Sequence, residues 1–208
     1  MTFDVQQIFN QAIAALNSSN LKKAEEEFKR VIELDNSHVP ALNLLTVVLM
    51  SLGRFSDAEP FIARAVAINQ SSDVSFYNYG LIAKNLNKPK LALEQFTKAI
   101  SINARVAETW NNRGTIFNEL EQYQSAIADF DKAIALNPGY ADACANKGKS
   151  LTLLNRHDEA FAAYDKALSI KPDLEGAWLG RGNVFYDLKR YDEAFAAYDK
   201  ALSIKPDF

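Results

Sequence analysis

The sequence predicts an all-α fold, a linear array of six helix-turn-helix units, and three observations carry that prediction. First, residues 158–173 and 192–207 both read DEAFAAYDKALSIKPD, sixteen identical residues at an offset of 34. Second, that offset divides residues 5–208 into six blocks with no insertion or deletion: 5–38, 39–72, 73–106, 107–140, 141–174 and 175–208. Residues 1–4 form a short lead-in to this single array. Third, the apolar spacing inside a block is helical: Ala194, Tyr198, Ala201 and Leu202 fall at i, i+4, i+7 and i+8, one stripe of a helix. A fixed period of about 20 to 50 residues marks units that cover their apolar sides by stacking on one another.

Each block is read as helix A over roughly positions 2–14 and helix B over roughly positions 18–31. Helix A opens in the first block at Asp4, which with Gln7 can form a capping box. Its position 8 is small: Ala12, Thr46, Gly80, Gly114, Gly148 and Gly182. Helix B carries Ala24, Ala58, Ala92, Ala126, Ala160 and Ala194 at position 20, and a bulky residue at position 24, from Phe28 and Ile62 to Tyr164 and Tyr198. Position 27 is Val31 and then alanine in every block, and positions 28 and 30 are always aliphatic. Small residues let helices approach closely, so these positions mark helix–helix contacts. Asn137-Pro138-Gly139, Lys171-Pro172-Asp173 and Lys205-Pro206-Asp207 break the chain between blocks.

Composition narrows the function classes. Twenty-three Lys and Arg against 26 Asp and Glu give a net charge of −3, which argues against a basic nucleic-acid footprint. A hydrophobic content of 48% with 24% charged residues excludes intrinsic disorder. One cysteine, Cys144, excludes an internal disulfide framework and a multi-cysteine metal cluster. The N-terminus lacks a basic region followed by an apolar core, and no stretch approaches the ~20 apolar residues that span a bilayer. A cytoplasmic location with no membrane contact is therefore expected.

The repeated positions resemble the tetratricopeptide repeat (TPR) family, whose 34-residue unit has an aromatic at 4, Gly at 8, Ala at 20, an aromatic at 24, Ala at 27 and Pro at 32. Trp110/Gly114/Ala126/Phe130/Ala133/Pro138 and Trp178/Gly182/Ala194/Tyr198/Ala201/Pro206 match it closely. Block five carries Cys144 at the aromatic position, and blocks one to three hold Asn36, Gln70 and Ala104 in place of Pro. The resemblance spans residues 5–208 and implies a right-handed α-solenoid, a superhelix with the A helices lining a concave groove.

Blocks five and six indicate which helix carries information. Over their first 17 positions only four residues agree, whereas over the second 17 sixteen agree. Helix B is a repeated structural part and helix A varies, as a functional surface would; drift at exposed positions is the plain alternative. Among the groove positions of the family, position 6 reads Asn10, Leu44, Asn78, Asn112, Asn146 and Gly180. Asn costs roughly 0.6 kcal/mol against Ala inside a helix, so four at one register run against local propensity. An amide offers a donor and an acceptor and can grip a peptide backbone whatever its side chains. Solvated polar residues on a helix face are the alternative.

The superhelical domain of O-GlcNAc transferases is similar here, with an asparagine ladder at this repeat position that holds substrate peptides. Asn10, Asn78, Asn112 and Asn146 fall on it; Leu44 and Gly180 break it. Net hydrogen bonds of about 0.5–1.5 kcal/mol each cannot outweigh the roughly 2–5 kcal/mol of ordering a peptide without neighbours. Asn43, Tyr77, Lys84, Asn111, Asn118, Lys149, Asn183 and Tyr186 are the candidate neighbours. The family's cationic clamp for chaperone C-termini needs Lys at position 5 and Arg at position 6 of specified repeats; neither occurs.

No catalytic constellation, cofactor or metal site is read. His38 and His157 belong to distant blocks, Cys144 reads as a buried packing residue, and Trp110 and Trp178 read as core aromatics. Asp129, Asp131, Asp165 and Asp199 read as a solvated outer face. The expected function is a non-enzymatic protein–protein interaction scaffold that binds an extended partner segment in the concave groove. One alternative is the substrate-recognition portion of a larger bacterial O-GlcNAc-transferase-like enzyme. The other is a structural array that self-associates through its C-terminal helix, because helix B of block six repeats the apolar side that block five uses for stacking. The same feature fits a chain continuing beyond Phe208 with more repeats or another domain. The partner's identity is not written in the sequence.

Overall fold

A computed structural model describes residues 4–205; the breaker residues Pro206 and Asp207 and the terminal Phe208 lie outside the described residues. Twelve α-helices and no strand occur among the described residues: α1 Val5–Asn17, α2 Leu21–Leu34, α3 Val39–Ser51, α4 Phe55–Ile68, α5 Asp73–Asn85, α6 Pro89–Ile102, α7 Ala107–Glu119, α8 Tyr123–Leu136, α9 Ala141–Leu153, α10 His157–Ile170, α11 Glu175–Asp187 and α12 Tyr191–Ile204. Odd-numbered helices are the A helices and even-numbered ones the B helices. Each starts and ends about one residue before the expected boundary. The chain divides into two compact units, residues up to 103 (α1–α6) and residues from 104 (α7–α12).

The early boundary has a cause that repeats in every block. Residue 15 of each block, namely Ser19, Gly53, Asn87, Glu121, Asn155 and Lys189, adopts a left-handed conformation with φ between 54° and 71°. In the first block Asn20 N–H donates to Ala15 C=O and Ser19 N–H to Leu16 C=O, both at 2.9 Å. This is a Schellman closure, which satisfies the last carbonyls of helix A and turns the chain into helix B. All five other blocks repeat it, as in Arg54 to Leu49 and Arg156 to Leu151 at 2.9 Å. At the N-terminus Asp4 caps α1, but its carboxylate accepts from Gln6 N–H at 3.1 Å. The expected reciprocal box with Gln7 gives way to this shorter local bond.

Within each unit, every A helix packs on its own B helix and every B helix on the next A helix; α7–α9, α9–α11 and α3–α5 also touch. In each unit the A helices thus form one layer and the B helices the other. The closest approach is between position 8 and position 24. A Cβ added at Gly80 would lie 2.5 Å from the Phe96 ring, at Gly114 2.6 Å from Phe130, and at Gly182 2.3 Å from Tyr198. These rings occupy the space of the missing side chain. Phe28, Phe96 and Phe130 are wholly buried, and so are the position-20 alanines 24, 58, 92, 126 and 160.

The four aspartates do not share one environment. Asp131, Asp165 and Asp199 are exposed, but Asp129 is 4% exposed and receives both Nε and Nη2 of Arg113, at 2.7 and 2.8 Å. Its position faces α7, so the solvated reading fails there. Trp110 and Trp178 are half-buried rather than fully internal, each indole N–H donating to a loop carbonyl (Ala104 and Pro172, both 2.9 Å).

Candidate functional site

The predicted binding residues lie on the A helices of both units, but Asn78 and Asn111 are buried, at 9% and 7% exposed, and some of the asparagines bond across repeats. In the first unit Ser75 Oγ donates to Asn43 Oδ1 at 3.0 Å, linking α5 to α3. Asn10, exposed on α1, accepts from Gln6 Nε2 at 3.0 Å. Tyr77 is half-buried with its ring 5.9 Å from Phe96, and Lys84 lies on the last turn of α5. Asn78 borders a hollow of about 370 Å³ whose walls include Val47, Met50 and Leu81.

In the second unit Asn146 Nδ2 donates to Asn111 Oδ1 at 3.0 Å, and Ser150 Oγ donates to Asn118 Oδ1 at 2.8 Å. Both bonds tie α9 to α7. Asn112 sits beside Asn111 on α7, half-buried. Asn183 is exposed and accepts the phenol O–H of Tyr198 at 2.9 Å. Tyr186 is 58% exposed and meets Tyr191 edge-on at 5.6 Å. The amides are therefore partly spent on holding successive repeats together. The register is interrupted at Leu44 and Gly180, as the sequence has it, and Asn10 and Asn146 within it already hold hydrogen bonds.

A second hollow, of about 380 Å³, brings three of the predicted residues together between α9 and α11. Asn146, Lys149 and Asn183 stand at its polar wall with Asp142, while Ala145, Leu174 and Leu179 supply apolar surface. Lys149 is exposed and has no ion pair among the described residues. Tyr164 from α10 reaches the same hollow, 2% exposed, and burial holds its phenol above the usual tyrosine pKa.

Tyr164 also explains why Gly180 interrupts the asparagine register. A Cβ at Gly180 would stand 2.3 Å from Tyr164 Cζ and 2.5 Å from its hydroxyl. The phenol of block five takes the place of a position-6 side chain in block six. At the preceding junction the position-24 residue is Phe130, without a hydroxyl, and position 6 keeps Asn146. Tyr164, Leu174 and Leu179 were missed from sequence; the pairing of Tyr at 24 with Gly at 6 of the next block was the available signal.

The chemistry expected to be minor is structural where it can be seen. His38 caps α3 through Nδ1, which accepts from Ala41 N–H at 3.1 Å, with its ring 4.7 Å from Phe9. His157 opens α10 in the other unit. Cys144 is 1% exposed, and burial pushes its thiol pKa up, away from a reactive thiolate. Among the described residues no cluster of three His, Cys, Asp or Glu could hold a metal ion, and no helix is long and apolar enough to cross a membrane.

Comparison with known proteins agrees with this architecture. Family profiles described as tetratricopeptide repeat match residues 9–75, 74–105, 107–140 and 176–208, and one described as TPR repeat matches 148–189. No curated protein matches the sequence. Among solved structures, MamA is 26% identical over 76% of this chain and 92% of its own, with a TM-score of 0.69. YrrB, described as a TPR protein with an unusual peptide-binding site, is 23% identical over 88% of this chain and 95% of its own, with a TM-score of 0.72. A tetratricopeptide repeat protein from Parabacteroides merdae is 18% identical over 96% of this chain and 79% of its own, with a TM-score of 0.83. The profiles together cover nearly every block of the 34-residue register, and the solved relatives share its helical pairing; the chain belongs to the tetratricopeptide repeat family.

Proposed function

We propose that this chain is a protein-interaction scaffold whose A-helix layer binds an extended segment of a partner, with the hollow between α9 and α11 as the principal site. The observation that carries the reading is the hollow's composition: unpaired Lys149 beside two amides above the apolar surface of Ala145, Leu174 and Leu179. Asn146 and Asn183 keep an amide oxygen and an amide nitrogen, respectively, beyond the bonds that tie them to Asn111 and Tyr198. A peptide unit offers the complementary N–H and C=O. Lys149 then favours a segment with a carboxylate and an apolar side chain next to it. YrrB, of the same fold, is described as having a peptide-binding site.

The test is selection from a displayed random-peptide library on the intact protein, followed by titration of the recovered peptides. Acidic-apolar sequences should emerge, and Lys149→Glu should weaken them at least tenfold with unchanged circular dichroism. Recovered peptides indifferent to Lys149→Glu and Asn183→Ala would remove this site. The O-GlcNAc-transferase-like reading rests on the asparagine register alone and gains no support from amides already bonded to one another.

A second reading has its own observation. On α12, Phe195 is 67% exposed and Leu202 43%, whereas their block-five counterparts Phe161 and Leu168 are half-buried and 8% exposed, beneath block six. This face suits association with a second copy. Light scattering across a hundredfold concentration range should show a mass increase that Phe195→Asp abolishes; a constant monomer mass would end that reading.

A further inference from the structure

Block five departs from its neighbours on the B-helix side as well, and the departure leaves a space. In block four, Arg113 lies over Trp110 at 4.9 Å and over Phe117 at 5.6 Å; in block six, Arg181 lies over Trp178 at 5.4 Å and over Phe185 at 5.7 Å. Positions 4, 7 and 11 thus build one aromatic–guanidinium–aromatic stack in both. Block five has Cys144, Lys147 and Leu151 at those three positions, all smaller. A cavity of about 290 Å³ opens there, bounded by these residues with Ile134 of α8 and Ala163 and Lys166 of α10.

We propose that this cavity is a docking site for an aromatic side chain, an indole first, carried by a partner segment with an acidic residue next to it. The ring class follows from the molecule's own construction, because the two flanking repeats fill the same register with an indole held under a cation. Size agrees: an apolar cavity of about 150 Å³ is enough to take a benzene ring. The charge preference follows from the mouth. Lys147 is paired with Asp131 at 2.7 Å and Glu159 with Arg156 at 2.7 Å, each pair neutral. Lys166 has no ion pair among the described residues, so one positive charge is left for an anionic neighbour of the ring. Lys147 and Lys166 can also take up cation–π positions over the inserted face. The site lies between α8, α9 and α10, shares no lining residue with the α9–α11 hollow and stands or falls apart from it.

The experiment is calorimetric titration of the full chain with capped Asp-Trp-Asp, with capped Asp-Ala-Asp and with free indole. Asp-Trp-Asp should bind at least tenfold more tightly than Asp-Ala-Asp. The triple substitution C144W/K147R/L151F, which rebuilds the stack of the flanking repeats, should abolish that binding while raising the melting temperature. Lys166→Glu should weaken Asp-Trp-Asp several-fold and leave indole unchanged. A readout on the unaltered protein covers a misfolded variant: Asp-Trp-Asp should slow modification of the Cys144 thiol by methyl methanethiosulfonate. Equal binding of the two tripeptides, unslowed modification, or a folded triple variant that binds as before would overturn the proposal. Indole binding tenfold tighter than Asp-Trp-Asp would assign the cavity to a free small molecule and overturn the partner segment.

Discussion

Gly180→Asn would write the missing asparagine into block six, and the structure sets its cost. The new Cβ would fall 2.3 Å from Tyr164 Cζ, closer than packed atoms approach, and the ring is only 2% exposed. Overpacking of this kind costs about 1–3 kcal/mol. The helix propensity of Asn over Gly returns only about 0.3 kcal/mol. The single variant should therefore lose about 0.7–2.7 kcal/mol. Tyr164→Phe alone removes a long 3.4 Å contact with Thr152 Oγ1 and should cost under about 0.5 kcal/mol. Together the two substitutions recreate the α8–α9 junction, where Phe130 and Asn146 coexist, so α11 can settle at that spacing without stranding a hydroxyl. A favourable coupling of at least ~1 kcal/mol is expected in a double-mutant cycle, against the roughly 0.3–0.5 kcal/mol scatter of independent sites. Urea unfolding followed at 222 nm gives the energies, and amide exchange in α9–α11 localises them, since array stability sums over neighbouring repeats. Additive energies, or a Gly180→Asn protein as stable as the parent, would refute the reading of Tyr164 as the occupant of that register.

Other perturbations test other joints of the structure. Asp129→Ala should cost about 3 kcal/mol by breaking a buried ion pair with Arg113, while Asp131→Ala, two residues on but exposed, should stay within about 1 kcal/mol; similar melting curves for both would contradict the burial of the first pair. Glu121→Gly should stabilise by about 1 kcal/mol, because a left-handed φ of 60° strains any side chain but suits glycine, and a lower melting temperature would argue against the turn. Glu25 accepts from Lys29 and also from Arg54 of the next repeat, which depresses its pKa. Its contribution is then present above the ordinary carboxylate pKa and lost as pH falls through the depressed one; Glu25→Gln should flatten that acid limb of stability. Tyr164 has the opposite sign. Its raised pKa leaves stability untouched below about pH 10 and lowers it above, where the unfolded phenol ionises first, and Tyr164→Phe should remove that alkaline loss.

The repeat register could be read from the chain because two kinds of residue repeat for steric reasons that no other arrangement satisfies. Gly114 and Phe130 sit 16 residues apart and fill one volume between them, and the same pairing recurs at Gly80–Phe96, Gly148–Tyr164 and Gly182–Tyr198. The left-handed turn residue escaped notice because glycine marks it only at Gly53; Ser19, Glu121 and Lys189 give no compositional sign. Asp129 and Asp131 look alike in sequence, and only the path of α7 past α8 separates a buried ion pair from a surface one. The variable helix was legible, but its bonds were not. Asn43–Ser75 and Asn118–Ser150 are 32 residues apart and Asn111–Asn146 are 35 apart, spacings that acquire meaning only when stacked helices bring neighbouring turns level.

A repeated frame makes departures from it informative, provided they are read in pairs. Taken singly, Cys144 is a weak aromatic position and Gly180 a weak asparagine position. Taken with their neighbours in space, each is half of a local exchange. Cys144 is accompanied by Lys147 and Leu151, so nothing in the chain takes back the volume of the lost indole, and a cavity remains. Gly180 is accompanied by Tyr164, which takes back the lost volume and closes the wall of the α9–α11 hollow. Compensated departures preserve packing and reshape a surface; uncompensated ones leave room for something else. Both kinds involve block five, while its residues 158–173, most of α10 and the turn after it, recur unchanged in block six.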